Sequence, residues 1–192
     1  MNTQALIPQG KLTAAKFLDF VAGRPREERW QLIDGEAFMM MSPARLPHQR
    51  IGANLVALLN GALANARPEL IAMQEVALSV EAHPDARLVA DVAVVDFEVD
   101  DTLYTSDFYL VAEVLSESNS TEHISRKRAL FAAAPHCLHV LILSQQEFAV
   151  EVWSRSNDWR GEVFRSADDM IELPEFGFRC RVADFYRGTP VK

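Results

Sequence analysis

Two acidic residues of this sequence stand inside apolar runs, where an ionised side chain is costly. Asp91 interrupts the run 88–95, and Glu113 interrupts the run 109–116. A carboxylate buried in such a run needs an ion-pair partner, hydrogen bonds or a cation. Carboxylate oxygens are the ligands that Mg²⁺ and Mn²⁺ prefer. Two such acids in successive runs therefore predict a site for a divalent cation.

A lysine follows these acids in the next predicted helix, 122–134. Ile124, Leu130 and Phe131 lie three residues before, three after and four after Lys127, which places them on its face of the helix. Lys127 therefore lies in the stripe that faces the sheet. A lone lysine in such a stripe often extends its ammonium to solvent, and that alternative stays open. Opposite a strand with a buried acid, the interpretation we adopt is that Lys127 meets the acid or its ligand.

Both apolar runs are typical of strands, and the polar segment 96–107 between them is long enough to turn the chain back. Side chains alternate along a strand. This rule places Asp91 on one face with the odd-numbered residues 89, 93 and 95. If the two strands pair as antiparallel neighbours, the carboxylates of Asp91 and Glu113 can lie on the same face.

This arrangement resembles a known group of enzymes. The order of Asp91, the strand 113–116 and Lys127 is similar to the PD-(D/E)XK nuclease superfamily and, more narrowly, to the Uma-type family of restriction-endonuclease-like proteins. The resemblance extends to 28–36, to 41–43 and to His48, and it runs from about residue 12 to 186. Each motif is weak alone, whereas their order and spacing together are specific.

The resemblance implies a fold and an activity. The fold would be α/β, with a mixed central β-sheet flanked by helices. Asp91 and Glu113 would bind Mg²⁺ or Mn²⁺ together with a carbonyl near Val114, and Lys127 would take part in hydrolysis of phosphodiester bonds in DNA. A homodimer would supply two sites for two strands.

Two further residues are auxiliary candidates in that site. Glu36 would be a helper carboxylate, although a solvated hairpin residue is an equally good interpretation. His48 opens a helix and is interpreted either as a structural hydrogen-bonding residue or as a contact for phosphate. Gln74 and Glu75 either line the site or lie on an exposed strand face.

The strand lysine of the general superfamily pattern is replaced by Leu115. The narrower family carries this lysine in the following helix, as Lys127 does. Ala90 stands where a proline usually precedes the first acid, and His139-Val140 replaces a Glu-Tyr pair.

The periodicity of the sequence predicts the remaining elements. The predicted helices are 14–22, 46–66, 122–134 and 182–186, and the predicted strands are 30–33, 37–41, 70–80, 88–95, 109–116, 137–143, 148–153 and 162–165. Asp34-Gly35 is a hairpin signal, and 83–85 is predicted to be a turn.

Length and composition limit the class of protein. The 192 residues are expected to form one domain, 1–192, with its core at about 12–186. No run is apolar enough to span a membrane, and no signal peptide is evident. Cys137 and Cys180 are therefore expected to be reduced thiols of a cytoplasmic protein.

The net charge of −8 disfavours a strong non-specific nucleic-acid binder. A nuclease would need a local basic rim, for which the candidates are Arg45, Arg50, Arg126 and Arg128. One alternative is a binding or interaction protein that keeps the nuclease fold without catalysis. A glycosidase-like use of the two acids is a third hypothesis, but that chemistry has no need of Lys127.

Overall fold

A mixed β-sheet lies at the centre of the fold, and helices cover both of its faces. The computed structural model describes residues 10–40, 45–115 and 121–192. The helices are α1 (Ala14–Ala22), α2 (Leu46–Ala66), α3 (Thr121–Ala133) and α4 (Val182–Phe185), with short 3₁₀ turns at Arg155–Asn157 and Pro174–Phe176. The strands are β1 (Arg29–Ile33), β2 (Glu36–Met40), β3 (Leu70–Val80), β4 (His83–Asp96), β5 (Phe108–Leu115), β6 (His139–Ser144), β7 (Val150–Ser154), β8 (Gly161–Phe164), β9 (Met170–Leu173) and β10 (Phe178–Arg181).

The order of strands along the main sheet is β2-β1-β4-β5-β6-β7-β8. Strand β3 pairs with one edge of β4, and β1 and β5 share the opposite edge. Strands β5 and β6 are parallel, and α3 is the connection between them. The remaining pairs of this sheet are antiparallel. The hairpin β9–β10 forms a separate two-stranded sheet.

Each face of the main sheet has its own apolar core. The α2 core contains the inner stripe of α2 packed on Val92, Val94 and residues of β5 and β6. The α3 core contains Leu130 and Phe131 of α3, packed on β4 and β5 from the opposite face. Residues on β4 and β5 are therefore buried from both sides, as expected for central strands.

Strand β4 is shared by three neighbours, and this sharing leaves a gap. One edge of β4 pairs with β3 over nearly its whole length. The opposite edge pairs with β1 only at Arg87 and with β5 only from Val92 to Val95. Between these contacts, no strand of the described residues pairs with 88–91 on that edge. The sheet splits here, and the candidate site lies at the split.

Strand β7 and the turn after it hold α3 from its C-terminal end. The Arg155 guanidinium donates hydrogen bonds to the carbonyl oxygens of Ala132 (3.1 Å) and Ala134 (2.5 Å) at the end of α3, and to that of Cys137 (2.8 Å). A cation near the last carbonyls of a helix is favourable. Because α3 carries Lys127, these contacts fix the helix on which the lysine stands.

The α/β class, with a mixed sheet between helices, is confirmed. The hairpin at Asp34-Gly35 is also confirmed, because Ile33 pairs with Glu36 and both turn residues have positive φ, 50° and 81°. The predicted motif 41–43 and the strand end at Ser116 lie outside the described residues.

One predicted turn needs correction, and one hairpin was not predicted. The turn predicted at 83–85 is wrong, because β4 already begins at His83, which pairs with Val80. Pro84 near the start of a strand is tolerated because its missing N–H falls where the ladder begins. The hairpin β9–β10 was missed, because its strands have only four residues each and a 3₁₀ turn separates them.

We expect Arg155→Ala to destabilise the protein by about 1–3 kcal/mol, because carbonyl groups at the end of α3 lose a charged donor. Unfolding in urea, followed by circular dichroism, measures the change. Arg160→Ala removes a nearby exposed arginine and is the control. Equal stability of the two variants would contradict the role assigned to Arg155.

Candidate active site

Asp91 lies at the point where β5 leaves β4. The antiparallel ladder between the two strands ends at the pair Val92–Ala112. Beyond it, the amide of Val114 donates a 2.7 Å hydrogen bond to Asp91 Oδ2 instead of to the backbone of β4. The Asp91 side chain thus continues the ladder by one step, and it keeps 18% of its surface exposed.

Glu113 stands across the split from Asp91, since the β4–β5 register continued by one residue brings the two opposite each other. The Lys127 ammonium lies 2.7 Å from Glu113 Oε1, and both side chains are almost fully buried. The two groups form a close, buried ion pair.

Lys127 has a second partner on β4. Its ammonium donates a 2.9 Å hydrogen bond to the carbonyl oxygen of Val89, which pairs with β3 on one edge of β4 and has no described strand on the other. The helical periodicity that predicted an inward Lys127 therefore agrees with its position. The Lys127 ammonium therefore links Val89 of β4 to Glu113 of β5 across the split.

Burial raises the pKa of Glu113 to about 7, even though the Lys127 charge opposes the shift. The nearby Asp91 charge raises it further, whereas the hydrogen bond with Lys127 and the His48 charge lower it. The Asp91 charge thus acts against the ionised form of Glu113, and a cation near both carboxylates would be favourable.

His48, in the first turn of α2, reaches Asp91 from the opposite face of the sheet. Its Nε2 lies 3.3 Å from Asp91 Oδ1. Burial alone would lower the pKa of His48, but the hydrogen bond to Asp91 and the charges of Asp91, Glu113 and Glu75 outweigh it, and the pKa is raised. Its Nδ1 is buried and has no hydrogen-bond partner among the described residues.

The structure does not bring Glu36 to the two acids. Glu36 is half exposed, and among the described residues its partner is Arg126, at 3.1 Å. Arg126 also donates to Asp34 at 2.8 Å and to the carbonyl oxygen of Ile33. These contacts attach the β1–β2 hairpin to α3.

Regular alternation through Asp91, predicted from the sequence, is wrong. Leu88 and Ala90 are buried in the α3 core, and so are Ala93 and Val95. The residues of β4 that face the α3 core therefore change from even to odd numbers at Asp91. The position of Asp91 depends on this irregularity, for which its own strand sequence gives no signal.

The donors present at the split fit a small hard cation. Asp91 and Glu113 offer carboxylate oxygens on the two strands that border the split. Within residues 10–40, 45–115 and 121–192, no group of three or more His, Cys, Asp and Glu side chains is arranged to hold a metal. Mg²⁺ characteristically uses one or two carboxylates and keeps several water ligands, so two carboxylates are sufficient for it.

Sequence reasoning missed the backbone members of this site. The carbonyl of Val89 and the amide of Val114 hold Lys127 and Asp91, respectively. Their residue type carries no signal, because every residue has these groups. The signal would have been the unequal lengths of β4, β1 and β5, which force the sheet to split.

A mixed sheet between helices, with an acid on each of two adjacent strands and a lysine on the following helix, agrees with the restriction-endonuclease-like fold that the sequence predicts. The model of the Uma2 family, described as "Putative restriction endonuclease", matches residues 14–183. The chain belongs to the Uma2 family.

A solved structure shares this fold. It is described as a "putative nuclease belonging to DUF820" from Anabaena variabilis ATCC 29413, with a TM-score of 0.72 and 18% sequence identity. The match covers 91% of this chain and 97% of that one. No curated protein matches the sequence. Among the described helices, none is long and apolar enough to cross a membrane.

We expect the buried pair Lys127–Glu113 to be strongly coupled. Lys127→Met leaves Glu113 and the Val89 carbonyl buried without their partner, which should cost on the order of 3 kcal/mol. Adding Glu113→Gln should recover part of this loss, because the orphaned charge is removed. A double-mutant cycle of urea unfolding measures the coupling.

The exposed pair Arg179–Glu172, 3.0 Å apart, provides the matched control. The same cycle with Arg179→Met and Glu172→Gln should give a coupling near zero, because solvent screens the pair. Equal coupling in the two cycles would show that burial at the split has no special effect.

Proposed function

We propose that this protein is a metal-dependent endonuclease that hydrolyses phosphodiester bonds in DNA. Its family description supports a nuclease function. The observation that carries the proposal is the Lys127 ammonium, which lies 2.7 Å from the buried Glu113 carboxylate beside Asp91. A buried and a partly buried acid beside one lysine match the needs of phosphoryl chemistry better than those of a structural ion pair, which requires only one acid.

Asp91 and Glu113 would hold a Mg²⁺ or Mn²⁺ ion, with the Val114 carbonyl as a further ligand. Such an ion supplies a water of lowered pKa and neutralises charge on the phosphate. The contact of Lys127 with Val89 keeps its ammonium at Glu113, where it would orient the attacking water or stabilise negative charge that develops on the phosphate. His48 would contact the same substrate from the N-terminus of α2.

The proposal extends to the partners and the location of the protein. A homodimer would present two sites to the two strands of duplex DNA. A cytoplasmic location would keep Cys137 and Cys180, both free and buried, in the reduced state.

The second candidate function is an interaction protein that keeps the nuclease fold without catalysis. The observation in its favour is that two predicted members of the basic rim have other contacts. Arg126 binds Asp34 and Glu36, and Arg128 lies 3.7 Å over the ring of Trp153. These arginines are less available to phosphates than their sequence positions suggested.

We expect Mn²⁺ or Mg²⁺ to raise the melting temperature of the protein, and Asp91→Asn to abolish this rise. Asparagine preserves the acceptor for the Val114 amide while removing the charge, so the fold should survive. Differential scanning fluorimetry across a metal titration measures the effect. Asp107→Asn, at an exposed acid, is the control; a shift unchanged in Asp91→Asn would refute the metal site.

Cleavage of plasmid DNA in the presence of Mn²⁺ tests the activity. We expect Lys127→Met to retain most of the metal-induced thermal shift and to lose about a hundredfold or more in cleavage rate, the effect of removing one positioned charge. Metal-independent DNA binding without cleavage by the unmodified protein would favour the interaction protein.

We expect Arg50→Ala to weaken DNA binding and to reduce the slope of log affinity against log salt by about one, because one phosphate contact is lost. Arg50 is exposed in the first turns of α2. Fluorescence anisotropy with a labelled duplex at several salt concentrations measures the slope. Arg26→Ala, at an exposed arginine between α1 and β1, should leave it unchanged, whereas salt-independent affinity would contradict phosphate binding.

A further inference from the structure

The residue opposite Asp91 on the neighbouring strand β3 has an unusual backbone conformation. Glu75, in the middle of β3, has a φ of +55°. A residue with a side chain rarely adopts this left-handed region, and a strand interior is an unfavourable place for it. Residues held in this way concentrate at functional sites, where the surrounding structure maintains them.

The strand pairing locates the effect of Glu75. Gln74 pairs with Val92, and Val76 pairs with Ala90, so the register is the same on both sides. Between these pairs, Glu75 and Asp91 face each other without being paired. One residue on each strand is thus excluded from the ladder at the same place.

The alternation of side chains changes on both strands at this place. On β3, Val76 and Leu78 pack in the α3 core, as Ile71 does, whereas the even-numbered Ala72 lies in the α2 core. Along β3 the residues in the α3 core thus change from odd to even numbers at Glu75, and along the antiparallel β4 they change from even to odd numbers at Asp91. A single left-handed residue accounts for it, because it interrupts the pleat of the strand.

The neighbouring contacts hold β3 in this shape. A side chain at Gly52 of α2 would place its Cβ 2.6 Å from the Gln74 amide nitrogen, so the absence of a side chain lets Gln74 lie against the helix. Gly52 is one turn after His48, the residue that contacts Asp91. On the other side, the Glu75 carboxylate forms an exposed ion pair with Arg29 of β1.

We propose that Glu75 is a positioning residue whose left-handed backbone turns Asp91 out of the ladder and into the split of the sheet. If residue 75 were extended, it would pair regularly with Asp91, and alternation would continue through both strands. The Asp91 carboxylate would then leave the Val114 amide. The role belongs to the backbone of Glu75, and its charge is dispensable.

Three substitutions separate the backbone of Glu75 from its side chain. Glu75→Gly accommodates positive φ without strain, and Glu75→Gln removes only the charge. Glu75→Val introduces a β-branched side chain that strongly disfavours positive φ. Met73→Val, at a regularly paired and exposed position of the same strand, is the matched control for the added valine.

Hydrogen exchange of the Val114 amide, measured by NMR, reports the position of Asp91 directly, because this amide donates to Asp91 Oδ2. We expect its protection, relative to the Leu110 amide of the same strand, to fall about tenfold or more in Glu75→Val. Protection should remain at the level of the unmodified protein in Glu75→Gly, Glu75→Gln and Met73→Val. If Glu75→Val does not fold, Glu75→Thr provides a smaller and more polar β-branched side chain for the same comparison.

Two outcomes would overturn the proposal. Unchanged Val114 protection in the folded β-branched variant would show that Asp91 does not depend on the backbone of Glu75. An equal loss in Glu75→Gln would assign the effect to the ion pair with Arg29.

The inference rests on the proposed function only in making Asp91 a metal ligand. We expect Glu75→Val also to lose the Mn²⁺-induced rise in melting temperature. If even the unmodified protein showed no such rise, the metal site would fail while the exchange result still stood, so the two failures are distinguishable.

Discussion

The candidate site depends on one constraint, which is that polar backbone groups buried inside a protein need partners. Strand β4 is too long for either β1 or β5 alone, and the two strands pair with different parts of the same edge. The split between them lies between the two apolar cores, and the hydrogen bonds made there by Val89 and Val114 are partly buried. The carbonyl of Val89 and the amide of Val114 would be costly there if they remained unpaired.

The chemistry-bearing side chains are also the ones that satisfy these backbone groups. Lys127 supplies a donor to Val89, and Asp91 supplies an acceptor to Val114. The Lys127 charge in turn compensates the buried carboxylate of Glu113. Stability and the proposed chemistry therefore require the same residues, so substitutions here are expected to affect both. A measurement of activity alone would not separate the two effects.

The contacts that satisfy these backbone groups also fix the geometry of the site. A lysine side chain ordinarily loses considerable rotamer freedom when it is held in one place. Lys127 has already lost that freedom in the folded protein, because two acceptors and the apolar neighbours on α3 restrain it. Arg155 fixes the end of the same helix. A charge that is positioned before the substrate arrives needs little reorganisation during the reaction.

The sequence predicted the parts of this arrangement that follow from local periodicity. The inward position of Lys127 follows from its spacing to Ile124, Leu130 and Phe131. The apolar runs indicated the buried Glu113 and the partly buried Asp91. The neighbours of Glu36 were not predictable, because its partner Arg126 lies 90 residues away in the sequence. Glu75 carries no signal either, since a glutamate does not indicate a left-handed backbone as a glycine does. That conformation is seen in the structure, from the φ of Glu75 and the interrupted pairing of β3 with β4.

The distribution of charge leads to the last step. The protein carries a net charge of −8, and Asp91, Glu113 and Glu75 all act on His48 at the split. Arg126 and Arg128, the basic residues next to Lys127 on α3, contact Asp34, Glu36 and Trp153. An anionic substrate that approached this surface without a cation would meet a largely negative field. A divalent ion at the split changes the local sign of that field, so we infer that cation binding must precede phosphate binding in the proposed reaction. Because the acids that repel the phosphate also attract the cation, the acidic surface agrees with a metal-dependent nuclease of modest affinity for DNA.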